Sequence, residues 1–183
     1  MDRFTSIFER VAQILETLDI DYLVVGSIAA TVWGLRRTTV DIDLAVHVPN
    51  ERFSELTDSL SANGLYVPVD AARTALATSG SFNIIDTASS GKVDIFACAP
   101  TDSFERMRLT RRVAADLFGI STWVATAEDI VLAKLRWRAE SNSDVQWRDC
   151  VEIAAINDLD LQHMRTWAET LGVSEDLDRL LSP

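Results

Sequence analysis

Two aspartates interrupt an apolar run in Val40-Asp41-Ile42-Asp43-Leu44, and this pattern constrains how the segment can fold. Alternate side chains of a β-strand share a face, so Asp41 and Asp43 point to one side while Ile42 and Leu44 point to the other. Two adjacent carboxylates repel each other and retain their protons unless water or a shared cation compensates. The segment therefore predicts a strand with one face in the core and an acidic patch on the other.

A third aspartate repeats this design in Lys92-Val93-Asp94-Ile95-Phe96. If the two strands are neighbours, three carboxylates converge and could hold two ions about 3.5–4 Å apart. Hard oxygen ligands suit Mg²⁺ or Mn²⁺, which leave their other positions to water and substrate phosphates. Asp41, Asp43 and Asp94 are thus candidate metal ligands. The simpler alternative is an exposed edge strand with solvated aspartates.

Gly26 and Ser27 lie between an apolar strand at residues 22–25 and a short helical segment that extends to Gly34. A strand that enters a helix directly presents free backbone N–H groups, here with a hydroxyl, and such groups bind phosphate. Ser27 is also a plausible N-cap of this helix, which is the ordinary explanation of a Gly-Ser pair.

The rest of the chain predicts an α+β fold with a mixed sheet flanked by helices and a helical C-terminal part. We expect the α/β core to span residues 1–125 and a helical C-terminal subdomain to span residues 126–183. Predicted helices cover residues 3–18, a segment around 53–60, and 127–140, 144–156, 160–171 and 174–181. Predicted strands cover residues 22–25, 39–48, 65–69, 81–86, 92–97, 112–118 and 120–125.

The chain of 183 residues is the length of one domain, and its 48% hydrophobic content is that of a globular protein. It has neither an 18-residue apolar stretch nor a signal-peptide pattern at its start, so we expect a cytoplasmic protein without a membrane partner. The net charge of −11 weighs against general binding to nucleic acid. An arginine cluster at positions 106, 108, 111 and 112 is a local exception, unless it is only a solvated face.

Val25-Gly26-Ser27, then thirteen residues (28 to 40), Asp41-Ile42-Asp43 and a later Asp94 together resemble the signature of the nucleotidyltransferase superfamily with the DNA polymerase beta type of fold. The gap of thirteen is at the long end for that signature. The resemblance implies a nucleoside triphosphate (NTP) as substrate, with Gly26 and Ser27 holding its triphosphate. It also implies that the three aspartates form the metal site, with Asp94 as a candidate base on the acceptor.

Two further motifs resemble the minimal AbiEii/AbiGii-type nucleotidyltransferases, many of which are toxins of toxin–antitoxin pairs. One is Arg37-x-Thr39-x-Asp41, and the other is an apolar helix containing Lys134, followed by a Trp-Arg-Asp sequence that ends at Asp149. This resemblance implies that Lys134 lies near the phosphates and that Asp149 orients it or the base. Arg37 and Thr39 would support the loop, and an antitoxin would be a protein partner. For Lys134 and Asp149, the ordinary alternative is a pair of charges on a helix surface.

We therefore expect an enzyme that moves a nucleoside monophosphate (NMP) from an NTP to a hydroxyl. The acceptor is left open among RNA (including tRNA), protein and small molecules. One alternative is a non-catalytic module that binds a nucleotide or a protein, which the presence of all three aspartates disfavours. Another is a glycosyltransferase of the Asp-x-Asp type, which the upstream Gly-Ser and the third aspartate fit poorly.

Overall fold

The computed structural model describes residues 3–36 and 41–182. Within these ranges the helices are α1 (Arg3–Thr17), α2 (Gly26–Val32), α3 (Phe53–Ala62), α4 (Val69–Thr78), α5 (Ser103–Arg111), α6 (Ala127–Ser141), α7 (Asp144–Ile156), α8 (Leu161–Leu171) and α9 (Ser174–Leu181). The strands are β1 (Asp21–Val25), β2 (Ile42–His47), β3 (Leu65–Tyr66), β4 (Ser81–Asp86), β5 (Lys92–Ala97), β6 (Val113–Leu117) and β7 (Ile120–Val124). A 3-10 turn at Asn50–Arg52 precedes α3.

The described strands form one seven-stranded mixed sheet in the order β3-β4-β5-β2-β1-β7-β6. The central pair β2 and β5 is parallel, as is β1 with β7. The pairs β1–β2, β3–β4, β4–β5 and β6–β7 are antiparallel. This mixed sheet, with flanking helices and a helical C-terminal part, confirms the predicted α+β class.

One hydrophobic core lies under the sheet and continues into the C-terminal helices. The inward side chains of β2, Ile42 and Leu44, are 2% and 0% exposed, as the alternating pattern predicts. Val131 of α6 and Leu177 of α9 belong to the same buried cluster. None of the described helices is both long enough and apolar enough to cross a bilayer.

Two helices lack a clear sequence signal. The predicted strand at 65–69 is only the two residues of β3, and α4 begins at Val69, where the prediction was wrong. The buried side chains of α4 are only Ala72 and Ala75, so its apolar period is weak. Helix α5 was also missed because arginines interrupt its apolar positions. Its start is fixed by Asp102, whose carboxylate accepts hydrogen bonds from two backbone N–H groups.

Candidate active site

The register of the central strands brings Asp43 and Asp94 together. Asp43 of β2 lies opposite Asp94 of the parallel strand β5, and Val25 at the end of β1 lies opposite Asp43 on its other side. Adjacent strands are about 4.8 Å apart, so the two carboxylates project side by side from one face of the sheet. The two strands are thus neighbours, which is the condition that the sequence interpretation required.

The electrostatic environment of Asp43 disfavours its charged form. Burial is the largest cause, followed by the negative charges of Asp94 and Asp41, and together they raise the pKa of Asp43 to about 6. The ammonium groups of Lys92 and Lys134 act in the opposite direction. Asp43 therefore lies where a proton or a cation is needed.

Gly26 makes direct contact with this carboxylate. Its φ of +66° lies in the left-handed region, and a Cβ atom at this position would overlap with Oδ2 of Asp43. Helix α2 begins at Gly26 itself, with Val25 in the N-cap position and no capping side chain. The expectation that Ser27 caps this helix is therefore wrong, since Ser27 already lies inside the first turn.

Asp94 has a partner that the sequence interpretation missed. The Lys92 ammonium lies 2.8 Å from Asp94 Oδ2. Residues 92 and 94 share a face of β5, so the Lys-x-Asp spacing in this strand was a usable signal. Oδ1 of Asp94 is buried and has no hydrogen-bond partner among the described residues. Such an oxygen is costly to bury and is available to a ligand.

The donor set fits a divalent cation that substrate phosphates help to coordinate. Among residues 3–36 and 41–182, no three His, Cys, Asp or Glu side chains form a complete metal site. Mg²⁺ commonly takes only one or two protein carboxylates and binds phosphate oxygens in addition. Asp43 and the unpartnered oxygen of Asp94 meet that need. Asp41 is exposed just before β2, and metal binding by the three aspartates stays a prediction.

Lys134 and Asp149 form a buried ion pair between α6 and α7. Nζ of Lys134 lies 2.7 Å from Oδ2 of Asp149 and also donates to Oε1 of Gln146 at 3.0 Å. Each member of the pair is only 5% exposed, so the alternative of two charges on a helix surface is wrong. The Lys134 charge lowers the pKa of Asp43, so the pair lies within electrostatic range of the acidic patch.

Comparison with known proteins identifies the family. Residues 2–179 match the family model described as "Nucleotidyltransferase of unknown function (DUF6036)". The chain belongs to this nucleotidyltransferase family. No curated protein is similar enough in sequence to be matched to it.

Solved structures agree with this nucleotidyltransferase fold. An antigenic nucleotidyltransferase-like protein from Paracoccidioides brasiliensis is 18% identical with a TM-score of 0.60, over 98% of this chain and 92% of that one. The lincosamide antibiotic adenylyltransferase LnuA is 11% identical with a TM-score of 0.55, over 86% and 98%. The antibiotic-resistance factor ANT(2'')-Ia is 18% identical with a TM-score of 0.55, over 98% and 93%. At such low identities the similarity concerns the fold.

Two predicted site residues of this nucleotidyltransferase, Arg37 and Thr39, lie outside the described residues. Their predicted support of the loop before Asp41 stays a prediction.

Two tryptophans, Trp137 of α6 and Trp147 of α7, lie within three residues of a member of the Lys134–Asp149 ion pair along the chain. The ring of Trp147 already makes cation–π contacts, because the guanidinium groups of Arg138 and Arg179 lie 5.0 Å and 4.7 Å from its centroid. Trp137 is 57% exposed, one helical turn beyond Lys134. Of the two, only Trp137 therefore presents an open ring.

Proposed function

We propose that this nucleotidyltransferase is an active enzyme that moves an NMP from an NTP to a hydroxyl group and depends on Mg²⁺ or Mn²⁺. The observation that carries the proposal is the register that places Asp43 beside Asp94, with the backbone of Gly26 against Asp43. A phosphate-binding turn beside paired carboxylates is the arrangement that phosphoryl chemistry needs, because the turn positions the triphosphate and the carboxylates supply ligands for its cation.

The metal site in this proposal consists of Asp41, Asp43 and Asp94. The bound cation would neutralise charge on the triphosphate and on the leaving pyrophosphate. Asp94 has a second role, which is to accept the proton of the acceptor hydroxyl. Because Oδ1 would bind the cation, the proton would go to Oδ2, the oxygen that the Lys92 ammonium contacts in the structure.

The phosphate-binding side of the site consists of Gly26, Ser27 and Lys134. The backbone of Gly26 and the hydroxyl of Ser27 contact the triphosphate, and the Lys134 ammonium attracts it. Asp149 orients Lys134, which the 2.7 Å ion pair supports. Arg37 and Thr39 would support the loop that leads to Asp41.

The acceptor that we propose is a small hydroxylated molecule. The protein carries a net charge of −11. Of the four clustered arginines at positions 106, 108, 111 and 112, three form ion pairs with acidic side chains: Arg108 with Glu105, Arg111 with Glu128 and Asp129, and Arg112 with Asp21. This cluster therefore offers little free charge to a long polyanion. The names of two solved structures of the same fold refer to antibiotics: one is a lincosamide antibiotic adenylyltransferase and the other an antibiotic-resistance factor. RNA, including tRNA, and protein hydroxyls are the competing acceptors.

A radiolabel screen tests the transferase activity. The protein is incubated with each α-labelled NTP and Mg²⁺ in the presence of pooled small hydroxylated compounds, total tRNA or cell protein. We expect label in the small-molecule fraction, lost in Asp41→Ala and Asp43→Asn but kept in Asp58→Asn, an exposed aspartate of α3 that serves as the control. If label appeared only in RNA or only in protein, that macromolecule would be the acceptor instead of a small molecule. Nucleotide binding without turnover would instead favour the non-catalytic module.

We also propose a more specific role as a toxin, which rests on the AbiEii-type resemblance. The buried Lys134–Asp149 pair supports it, since both residues belong to the motifs that carry this resemblance. Induced expression should then arrest growth for the wild type but not for Asp43→Asn at equal protein level. Unimpaired growth with active wild-type protein would remove the toxin role, and with it the antitoxin partner, while leaving the transferase activity.

A further inference from the structure

The face of the sheet that carries Asp94 continues onto the next strand, β4. Strands β4 and β5 pair in an antiparallel register that places Asn83 directly opposite Asp94. Such residues share a face of the sheet, with Cβ atoms about 4.5–5.5 Å apart. Helices α1 and α4 pack against these strands, and the buried Ile84 and Ile95 mark the face that they cover. Asn83 therefore lies beside Asp94 on the face of the candidate site.

The candidate site is part of a row with one residue from each of four adjacent strands. In sheet order these are Asn83 of β4, Asp94 of β5, Asp43 of β2 and Val25 of β1, which leads into Gly26. The proposed phosphate-binding turn at Gly26 thus lies on one side of Asp94, and Asn83 lies on the other. In phosphoryl transfer the attacking and leaving oxygens are roughly in line, on opposite sides of the phosphorus. This geometry brings the acceptor hydroxyl to Asp94 from the side of β4.

Asn83 has a side chain that is available to a ligand. It is exposed within β4, although asparagine is disfavoured in strands. Its amide group makes no hydrogen bond with residues 3–36 or 41–182. An amide group both donates and accepts hydrogen bonds, as a hydroxyl group does. Asn83 can therefore bind a hydroxyl group next to the one at Asp94.

An exposed aromatic ring lies next to these two polar groups. Phe96 is 41% exposed and shares its face of β5 with Asp94, two residues earlier. It lies diagonally across from Asn83, at a separation that an aromatic side chain can reach. Binding sites for small molecules combine such apolar surface with a few polar groups that fix the orientation of the ligand. The surface suits hydroxyl groups on a carbon skeleton that packs against the ring.

We propose that Asn83 binds the acceptor and that the acceptor is a small molecule with hydroxyl groups on neighbouring carbon atoms, an inference that rests on the proposed function. The reacting hydroxyl lies at Asp94, and its neighbour exchanges hydrogen bonds with the amide group of Asn83. The reacting oxygen forms a bond to the α-phosphorus of the NTP and gives its proton to Asp94. The bond from this phosphorus to the leaving pyrophosphate breaks.

Two acceptor pools test this inference in the transfer assay. The first contains vicinal diols, namely ribonucleosides, methyl hexosides and inositol. The second contains isolated hydroxyl groups, in 2′-deoxyribonucleosides and cyclohexanol. We expect the wild type to label the first pool preferentially. Asn83→Leu keeps the size of the side chain without its polar atoms and should lower kcat/KM for the labelled diols about tenfold, the effect of one lost hydrogen bond. Its KM for the Mg²⁺–NTP complex should stay constant, because Asp43 and Gly26 are untouched.

Matched variants separate acceptor binding from a general effect on the protein. Asn83→Thr keeps a group that donates and accepts and should recover part of the activity with diols. Ser121→Leu makes a similar change at an exposed position of β7, three strands from β5, and should leave kcat/KM unchanged.

Several results would overturn the inference while leaving the transferase activity. These are equal kcat/KM values for the wild type and Asn83→Leu with diols, a raised KM of Asn83→Leu for Mg²⁺–NTP, or labelling of the second pool by the wild type that equals or exceeds labelling of the first. Transfer that labels neither pool but only RNA or protein would do the same. Absence of transfer by the wild type to any acceptor would overturn both this inference and the proposed function.

Discussion

At the scale of single residues, the candidate site depends on how closely Gly26 approaches Asp43. The end of β1 pairs with Asp43, so the first residue of α2 lies directly against the carboxylate. A side chain at position 26 would have to displace this carboxylate from its place beside Asp94. The glycine of the motif is therefore needed for space as well as for its backbone angle.

Replacement of Gly26 by alanine tests this contact. The positive φ alone should cost about 1–2 kcal/mol of stability, and the overlap with Asp43 should abolish nucleotidyl transfer. Gly64→Ala is the matched control, because its φ is +71° and a Cβ atom there meets nothing within 4 Å. Thermal unfolding should show a loss of stability in both variants, larger in Gly26→Ala because its Cβ atom must also displace Asp43, whereas the transfer assay should fail only for Gly26→Ala. An active Gly26→Ala protein would show that the close approach is not required.

Asp43 should make the stability of the metal-free protein fall as pH rises. Its pKa of about 6 in the folded state lies above the ordinary aspartate value of 3.8, so the folded state binds the proton more tightly. Stability is then lost between about pH 4 and pH 6 and is not regained above that window. Asp43→Asn removes this loss and should stabilise the protein at pH 7 by about 1–2 kcal/mol, after allowance for solvent screening.

Denaturant unfolding in EDTA at pH 4, 5, 6 and 7 measures this effect. The stability difference between Asp43→Asn and the wild type should be near zero at pH 4 and should reach its full value by pH 7. A constant difference across the range would contradict the raised pKa of Asp43. Asp58→Asn again serves as the control, since its carboxylate is exposed.

At the scale of secondary-structure elements, the Lys134–Asp149 ion pair between α6 and α7 allows effects on stability and on function to be tested separately. Asp149→Ala leaves the buried Lys134 ammonium without its charged partner and should cost about 3–5 kcal/mol. The double variant Lys134→Met/Asp149→Leu replaces both charges by apolar groups and should recover most of this loss. Transfer activity should nevertheless be lost in the double variant, because the ammonium that the proposed function places near the phosphates is gone.

Chemical denaturation and the transfer assay together check this prediction. Glu55→Ala breaks the exposed pair with Arg52 and should change stability by less than about 0.5 kcal/mol. Full activity in a stable double variant would assign Lys134 a purely structural role.

The elements also show what the sequence could and could not predict. The strand pattern around Asp43 and Asp94 was sufficient because alternation fixes which face each side chain takes. Burial of Lys134 could not be predicted, since it depends on α7 packing over α6 rather than on local pattern. The contact of Glu152 with Arg36 joins positions 116 residues apart, and no local periodicity encodes such a contact. The arginines of α5 hid a helix because they interrupt its apolar positions: Arg108 pairs with Glu105 of the same helix, and Arg111 pairs with acidic residues of α6.

At the scale of the whole molecule, we propose that residues 1–125 and 126–183 are subdomains of one folding unit. Buried residues from both segments, including Val24 of β1 and Leu132 of α6, belong to a single core cluster. In addition, Nε1 of Trp33 donates to the carbonyl oxygen of Ala125, where the chain leaves the sheet for α6. The C-terminal helices therefore cover apolar surface that the sheet alone would expose to water.

Calorimetry should accordingly give one unfolding transition, with equal calorimetric and van't Hoff enthalpies. A fragment containing residues 1–125 should lack cooperative unfolding, because it has lost α6 to α9 and their buried side chains. Two resolved transitions in the full chain, or a cooperatively folded fragment, would show instead that the two segments fold independently.

The ion pair between Lys92 and Asp94 gives the molecule an internal counter-ion on β5. In the proposed function, a divalent cation that binds Asp94 would compete with this tethered ammonium, so loading of the site would be an exchange of ions rather than simple filling. A free cation brings no anion that could pair with the displaced Lys92 ammonium, whereas a cation bound to a triphosphate does. If the proposed function holds, we expect the protein to load the metal and the nucleotide together, with Lys92 favouring the complex over the free ion.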